Sequence, residues 1–170
     1  MKWAAAPMII GALMVLYLLT LPPTVYVPGD IAAQWDSIWL QNLPTNCTAV
    51  NRILCGGPKE FLGCVQFERG LGRWEAVKWQ PASNMKRLPL AATGECPLDY
   101  NGMWHIHPAV VDADATKWRF FKTLSGQDLE TLIKSPALVS VMTWAPKQHV
   151  AAVIWRHKLV YPVSVIVGPQ

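Results

Sequence analysis

The chain has 170 residues, of which 52% are hydrophobic and only 15% charged, with a net charge of +4 at pH 7. This length suits one globular domain once an apolar N-terminal segment is set aside. The basic residues are scattered along the chain and form no run, so we expect no nucleic-acid partner.

The first part of the sequence predicts a transmembrane helix. Residues 3–29 carry no charged side chain, and residues 3–21 are almost wholly apolar. About 20 such residues in a helix span the ~30 Å hydrocarbon core of a bilayer. A cleavable signal peptide is the alternative, but its apolar region is usually ~7–15 residues long and ends in a small-x-small cleavage site, which is missing here. We therefore assign residues 1–23 to a membrane anchor.

The charges that flank this segment predict its orientation. Lys2 precedes it, whereas the first charged residues after it are Asp30 and Asp36. Positive charge favours the cytoplasmic side, so the sequence predicts a single-pass membrane protein with a cytoplasmic N-terminus. The rest of the chain would lie outside the cytoplasm, in the periplasm if the host is bacterial.

The cysteines are compatible with an oxidising compartment. All four follow the apolar segment: Cys47, Cys55, Cys64 and Cys96. Four cysteines allow three disulfide pairings, between which the sequence does not choose. Four buried thiols in a reducing compartment are the alternative.

The elements after the anchor mix helices and strands. Apolar residues between 31 and 39 follow a helical period, and a short helix is possible over 47–57, so residues 24–57 form a helical connecting segment. We then expect a hairpin of two strands over 61–68 and 73–80 and an irregular stretch over 81–99. Next come a strand over 100–106, a long connection over 108–124 and a helix over 125–135; further strands follow over 137–144, 149–156 and 159–167. This order predicts an α/β (α+β) domain, a mixed β-sheet flanked by helices, over residues 58–170.

A pair of histidines on the strand over 100–106 indicates a metal site. Successive side chains of a strand point to opposite faces, so His105 and His107 would present two imidazoles on the same face. Asp128 could supply an oxygen as the third ligand at the start of the following helix. Three protein ligands leave a fourth position for water, which is typical of a catalytic Zn²⁺ site.

Other interpretations of these residues stay open. Asp112 and Asp114 are alternative oxygen ligands in the long connection. Ser125 and Asp128 are also a normal helix start, with the serine as N-cap and the aspartate in the first turn, where the helix dipole favours negative charge.

Three motifs in this order resemble the JAMM (MPN-plus, JAB-domain) zinc metalloproteases. They are Glu60-Phe61-Leu62-Gly63, then His105-Ile106-His107-Pro108, then Ser125-Gly126-Gln127-Asp128. The resemblance covers residues 58–170, although the spacer over 108–124 is longer than is usual in that family. It implies that His105, His107 and Asp128 hold Zn²⁺, that Glu60 is the general base and that Ser125 stabilises the oxyanion. Glu68, Glu75 and Glu95 are alternative candidates for the base.

The sequence therefore predicts a membrane-anchored, zinc-dependent peptidase or isopeptidase that acts on a protein or peptide substrate. The alternative function is a catalytically inactive scaffold with the same fold in a membrane or envelope assembly.

Overall fold

The computed structural model describes residues 23–42, 60–88, 91–107, 110–111, 118–119, 122–155 and 159–169. Two helices lie in these ranges, α1 (Gly29–Gln41) and α2 (Gly126–Lys134). The strands are β1 (Thr24–Val27), β2 (Leu62–Gly70), β3 (Arg73–Pro81), β4 (Ser83–Leu88), β5 (Ala91–Glu95), β6 (Gly102–Ile106), β7 (Val110–Val111), β8 (Trp118–Arg119), β9 (Val139–Ala145), β10 (Gln148–Trp155), β11 (Leu159–Val163) and β12 (Val165–Val167).

Eight of the strands form one mixed sheet in the order β11-β10-β9-β6-β2-β3-β1-β12. β6 runs parallel to β9, and β1 runs parallel to both β3 and β12; the other neighbours are antiparallel. β10 also contacts β12, which lies at the other end of the strand order, so the sheet curves strongly. β4–β5 and β7–β8 form separate two-stranded sheets.

The prediction of an α/β (α+β) domain with flanking helices is wrong, because the described part of the chain is mostly β. Strands also form in segments where no strand was expected from the sequence. β4 and β5 occupy much of residues 81–99, and β1 occupies residues 24–27. β4 (SNMKRL) lacks the alternation of apolar and polar residues on which strand prediction depends. It is ordered by pairing with β5, a contact that the local pattern does not reveal.

The prediction of a single-pass membrane protein is also corrected. Among the ranges given above, neither helix is both long enough and apolar enough to cross a membrane. The predicted anchor over residues 1–23 lies, except for its last residue, outside the described part of the chain. The short helix expected over 47–57 also lies outside the described residues.

The helix expected over residues 31–39 is confirmed as α1, and its apolar face packs on the sheet. Ile31, Trp35 and Trp39 are buried in the main hydrophobic core. The Trp35 ring stacks on Trp104 of β6, with centroids 5.0 Å apart and an interplanar angle of 11°. Burying large apolar side chains is the main driving force for folding. Residues 24–41, which the sequence placed in a connecting segment, thus contribute β1 and α1 to the same core as the site-bearing strand.

A disulfide between Cys64 and Cys96 joins β2 to the residue that follows β5. Cys64 is fully buried. Cys47 and Cys55 lie outside the described residues. The bond therefore fixes the end of the β4–β5 hairpin to the central sheet.

We expect the double variant Cys64→Ala/Cys96→Ala to lower the free energy of unfolding. The two cysteines are 32 residues apart. A cross-link that closes a loop of this length lowers the conformational entropy of the unfolded chain and so raises its free energy by about 3–4 kcal/mol. Urea unfolding at neutral pH measures the difference. A loss below about 1 kcal/mol would show that this disulfide contributes little to stability.

Candidate metal centre

The two histidines lie at the end of β6, between β2 and β9. His105 lies opposite Leu62 of β2 on one side and next to Met142 of β9 on the other. The backbone N–H of His107 donates to the carbonyl of Thr143 (3.0 Å), which holds the residue in line with the strand. The two rings lie on the same side, with centroids 5.0 Å apart, and both residues are buried. The expected geometry of two neighbouring imidazoles is thus present.

Helix α2 brings a carboxylate to these imidazoles. Asp128 Oδ1 lies 3.4 Å from Nε2 of His105, and Asp128 Oδ2 lies 3.2 Å from Nε2 of His107. One potential ligand atom from each of the three residues lies within 4.8 Å of the other two. His105, His107 and Asp128 therefore form a cluster that could hold a metal ion.

The helix-start interpretation of Ser125 and Asp128 is also correct. Ser125 is the N-cap of α2, and its hydroxyl accepts a hydrogen bond from the backbone N–H of Asp128 (3.2 Å). In return, Asp128 Oδ2 accepts from the backbone N–H of Ser125 (2.6 Å), which completes a capping box. The cap fixes the carboxylate on the helix end, and the same carboxylate faces the histidines.

One polar atom of the cluster lacks a well-directed hydrogen bond among the described residues. Nε2 of His105 is buried and makes no well-directed hydrogen bond to any residue that the structure describes, although Asp128 is close. Buried polar atoms are rarely left without a partner, and such a case calls for an explanation such as an ion. A cation between the two imidazoles and the carboxylate would satisfy this nitrogen.

The Asp128 carboxyl is strongly acidic in this environment. Burial alone would raise its pKa, but the imidazoles of His105 and His107 that face its oxygens lower the pKa well below the ordinary value of 3.8. A carboxylate with a lowered pKa stabilises the folded state above pH 3.8, and this stabilisation is lost as the pH falls further. Asp128 is therefore ionised at neutral pH, as a metal ligand must be.

Glu60 lies next to the cluster, two residues before the start of β2. The backbone N–H of Ile106 donates to the carbonyl of Phe61 (3.2 Å), so the antiparallel pairing of Leu62 with His105 continues towards Glu60. Burial raises the pKa of the Glu60 carboxyl above 4.5, against the opposing effect of the nearby His105 and His107. A carboxylate with a raised pKa is a stronger base, which suits a proton acceptor.

Ser125 is placed to donate a hydrogen bond. Its oxygen accepts from the backbone of Asp128, so the hydroxyl hydrogen is not used in the cap. The residue is exposed and lines the same cavity as Glu60, His105 and Asp128.

The alternative candidates for the general base and for the oxygen ligand lie in different parts of the structure. Glu75 forms an ion pair with Arg73 (2.7 Å) on β3, and Glu68 is its cross-strand neighbour, in the half of β2 away from Leu62. Glu95 lines the cavity near the cluster and accepts a hydrogen bond from the Asn84 amide (2.9 Å). Asp112 and Asp114 lie outside the described residues.

A polar network behind β6 was missed in the sequence. Trp39 of α1 donates from its indole nitrogen to the carbonyl of His107 (3.1 Å). The hydroxyl of Thr143 accepts from the indole of Trp104 (2.9 Å) and lies 2.8 Å from Nδ1 of His149. These contacts hold the histidine-bearing strand from its rear face.

The side chain of His149 is buried behind β6. Its side chain is only 1% exposed, and its Nε2 lies 3.7 Å from Asp36 on α1. Burial lowers the pKa of His149 below 6.5, with Asp36 opposing. Sequence offers little signal for this network, because its members come from α1, β6, β9 and β10.

No model of a known protein family matches this chain, and no curated protein matches it either. The resemblance to the JAMM metalloproteases therefore depends on the motif residues alone.

Proposed function

We propose that the protein is a zinc-dependent hydrolase that cleaves an amide bond in a peptide or protein, in the manner of the JAMM-type metallopeptidases. The observation that carries this proposal is the cluster of His105, His107 and Asp128, with atoms within 4.8 Å, beside the half-buried Glu60. The cluster and Glu60 come from the end of β6 with the residue after it, from α2 and from the segment just before β2, three separate parts of the chain.

The donor set favours zinc. Two imidazole nitrogens and one carboxylate oxygen are common ligands of catalytic Zn²⁺, whereas Mg²⁺ and Ca²⁺ prefer oxygen alone. When bound, zinc lowers the pKa of a coordinated water from about 15.7 towards ~7, so that hydroxide is available at neutral pH.

Glu60 would handle the protons of the reaction. Its carboxylate takes a proton from the attacking water and later gives it to the leaving amine nitrogen. The same carboxyl group therefore acts first as a base and then as an acid, and its raised pKa favours the first of these transfers. Its position at the wall of the cavity leaves the carboxylate accessible to a substrate.

Ser125 would stabilise charge that develops during the attack. The carbonyl oxygen of the substrate becomes negative in the tetrahedral transition state, and a hydroxyl donor near that oxygen stabilises it. The N-cap role of Ser125 supports this function, because the cap fixes the oxygen and leaves the hydrogen to donate.

We expect the purified protein to bind one zinc ion per chain, and His107→Ala to remove it. The side chain of His107 is one of the three potential ligands and lies 3.2 Å from Asp128. Elemental analysis after dialysis measures the stoichiometry, and a thermal melt with and without a chelator measures the linked stability. Peptide hydrolysis should stop on chelation and return when zinc is added.

A protein that holds no stoichiometric zinc after loading would contradict the proposal. That result would favour the alternative of a catalytically inactive scaffold. Equal zinc content in the wild type and in His107→Ala would show that the metal binds elsewhere.

A further inference from the structure

A cavity of about 490 Å³ opens directly beside the cluster. Glu60, His105, Ser125 and Asp128 lie on its wall. Strand β5 forms another part of the wall, and the disulfide at Cys96 holds the end of that strand in place. Binding cavities for small ligands usually measure about 300–1,000 Å³, so this one has room for a few residues of a peptide.

Away from the cluster, many of the wall residues are apolar. They include Leu62, Ala92, Tyr100, Met103, Pro136 and Ala137. Tyr100 and Ala137 are buried residues whose neighbours are core side chains, so this part of the wall is preformed. Contact between an apolar wall and an apolar side chain of a ligand removes both surfaces from water, which favours binding.

The charged groups of the cavity argue against an anionic ligand. Among the described residues that line it, none is a lysine or arginine, whereas Glu60, Glu95 and Asp128 are carboxylates. Away from the zinc ion proposed at the cluster, an acidic side chain would meet like charge with no lysine or arginine among the described lining residues to offset it. Glu95 is exposed and already accepts from Asn84, so it lies at the solvent side and does not provide a deep partner for a cationic side chain.

We infer that this cavity binds the apolar side chain next to the scissile bond, so that the substrates are peptides with a residue such as leucine or methionine at that position. The inference rests on the proposed function, since it takes the cluster beside the cavity as the site of cleavage. It adds a specificity that the cluster itself does not impose.

Quenched-fluorescent peptides that differ only at one central residue (Leu, Lys, Glu or Gly) test the inference. We expect kcat/KM for the Leu peptide to exceed that for the Gly peptide by about 10- to 100-fold, as burial of one apolar side chain allows. The Glu peptide should be the poorest substrate. Fluorescence anisotropy of the same peptides with the metal-free protein, labelled without the quencher, gives a readout independent of hydrolysis. There the Leu peptide should bind at least about 10-fold more tightly than the Glu peptide.

Thr131→Arg should weaken the preference for the Leu peptide over the Glu peptide. Thr131 is an exposed residue of α2 that lines the cavity, so an arginine there places a cation in a wall that has none among the described residues. Binding of the Glu peptide should then improve relative to the Leu peptide. Ile133→Arg is the matched control, because Ile133 is 53% exposed on the same helix and is not part of the wall.

The outcomes separate the inference from the proposed function. Zinc-dependent hydrolysis with equal rates for the Leu and Glu peptides overturns the inference and leaves the function intact. Selective binding of the Leu peptide without any hydrolysis supports the inference as a binding site and overturns the function. A preference for the Lys peptide, or the same change of preference in Ile133→Arg as in Thr131→Arg, also overturns the inference.

Discussion

Glu60→Gln is expected to lower kcat by about 100- to 10,000-fold while the protein keeps its zinc. The amide has nearly the same shape as the carboxylate but accepts no proton at neutral pH. Glu60 is not one of the three potential ligands, so metal content should not change. Steady-state hydrolysis of the Leu peptide and elemental analysis of the same sample provide the measurement.

The pH dependence gives a second signature of the same residue. Glu60 must be ionised to accept a proton, so the rate of the wild type should fall as the pH drops through its pKa, which burial raises above 4.5. This acidic limb should be absent from the residual activity of Glu60→Gln.

Glu95→Gln is the matched control for Glu60→Gln. Glu95 lines the same cavity but is exposed, so its kcat should change by less than about 3-fold. A larger loss in Glu95→Gln than in Glu60→Gln would assign the base to Glu95.

The histidine pair was predictable because it depends only on the alternation of side chains along one strand. His105 and His107 need no information from elsewhere in the chain to share a face. The apolar stripe of α1 was predictable for a similar reason, since Ile31, Trp35 and Trp39 recur at helical spacing. Local periodicity thus predicted the parts of the site and core that lie within single elements.

Contacts between elements were not predictable in the same way. β1 has four residues and pairs with β3 and β12, neither of which lies near it in the sequence. Thr143 and His149 have no distinctive neighbours in the chain, yet they support the rear of β6. The mostly β character of the protein arises from such long-range pairings, and propensity alone underestimates them.

Asp128 shows the limit of local patterns most clearly. Ser125 and Asp128 fit a helix start, and a helix start explains them fully without any metal. The structure shows that the cap and the approach to the histidines occur together, because α2 begins where β6 ends in space. The pattern therefore predicted the cap correctly, but only the fold shows what else the carboxylate faces.

Asp128→Asn is expected to weaken zinc binding by more than about 100-fold and to leave α2 folded. Loss of an outer-shell partner alone typically costs about 10- to 100-fold in metal affinity, and loss of a charged ligand should cost more. Asparagine keeps a side-chain oxygen that can accept the backbone N–H of Ser125, so the capping interaction remains possible. Competition with a chromogenic chelator measures affinity, and circular dichroism measures the helix.

Two control variants separate the ligand role of Asp128 from its role in the cap. Ser125→Ala removes the hydroxyl that accepts the N–H of Asp128, so it should destabilise α2 by about 1 kcal/mol while zinc affinity changes little. Glu130→Gln removes an exposed charge two residues further along α2, where Glu130 pairs with Lys134. This variant should change neither the stability of α2 nor the affinity for zinc. If Asp128→Asn kept full zinc affinity, Asp128 would be only a capping residue, because loss of its charge would then have no effect on the ion held by His105 and His107.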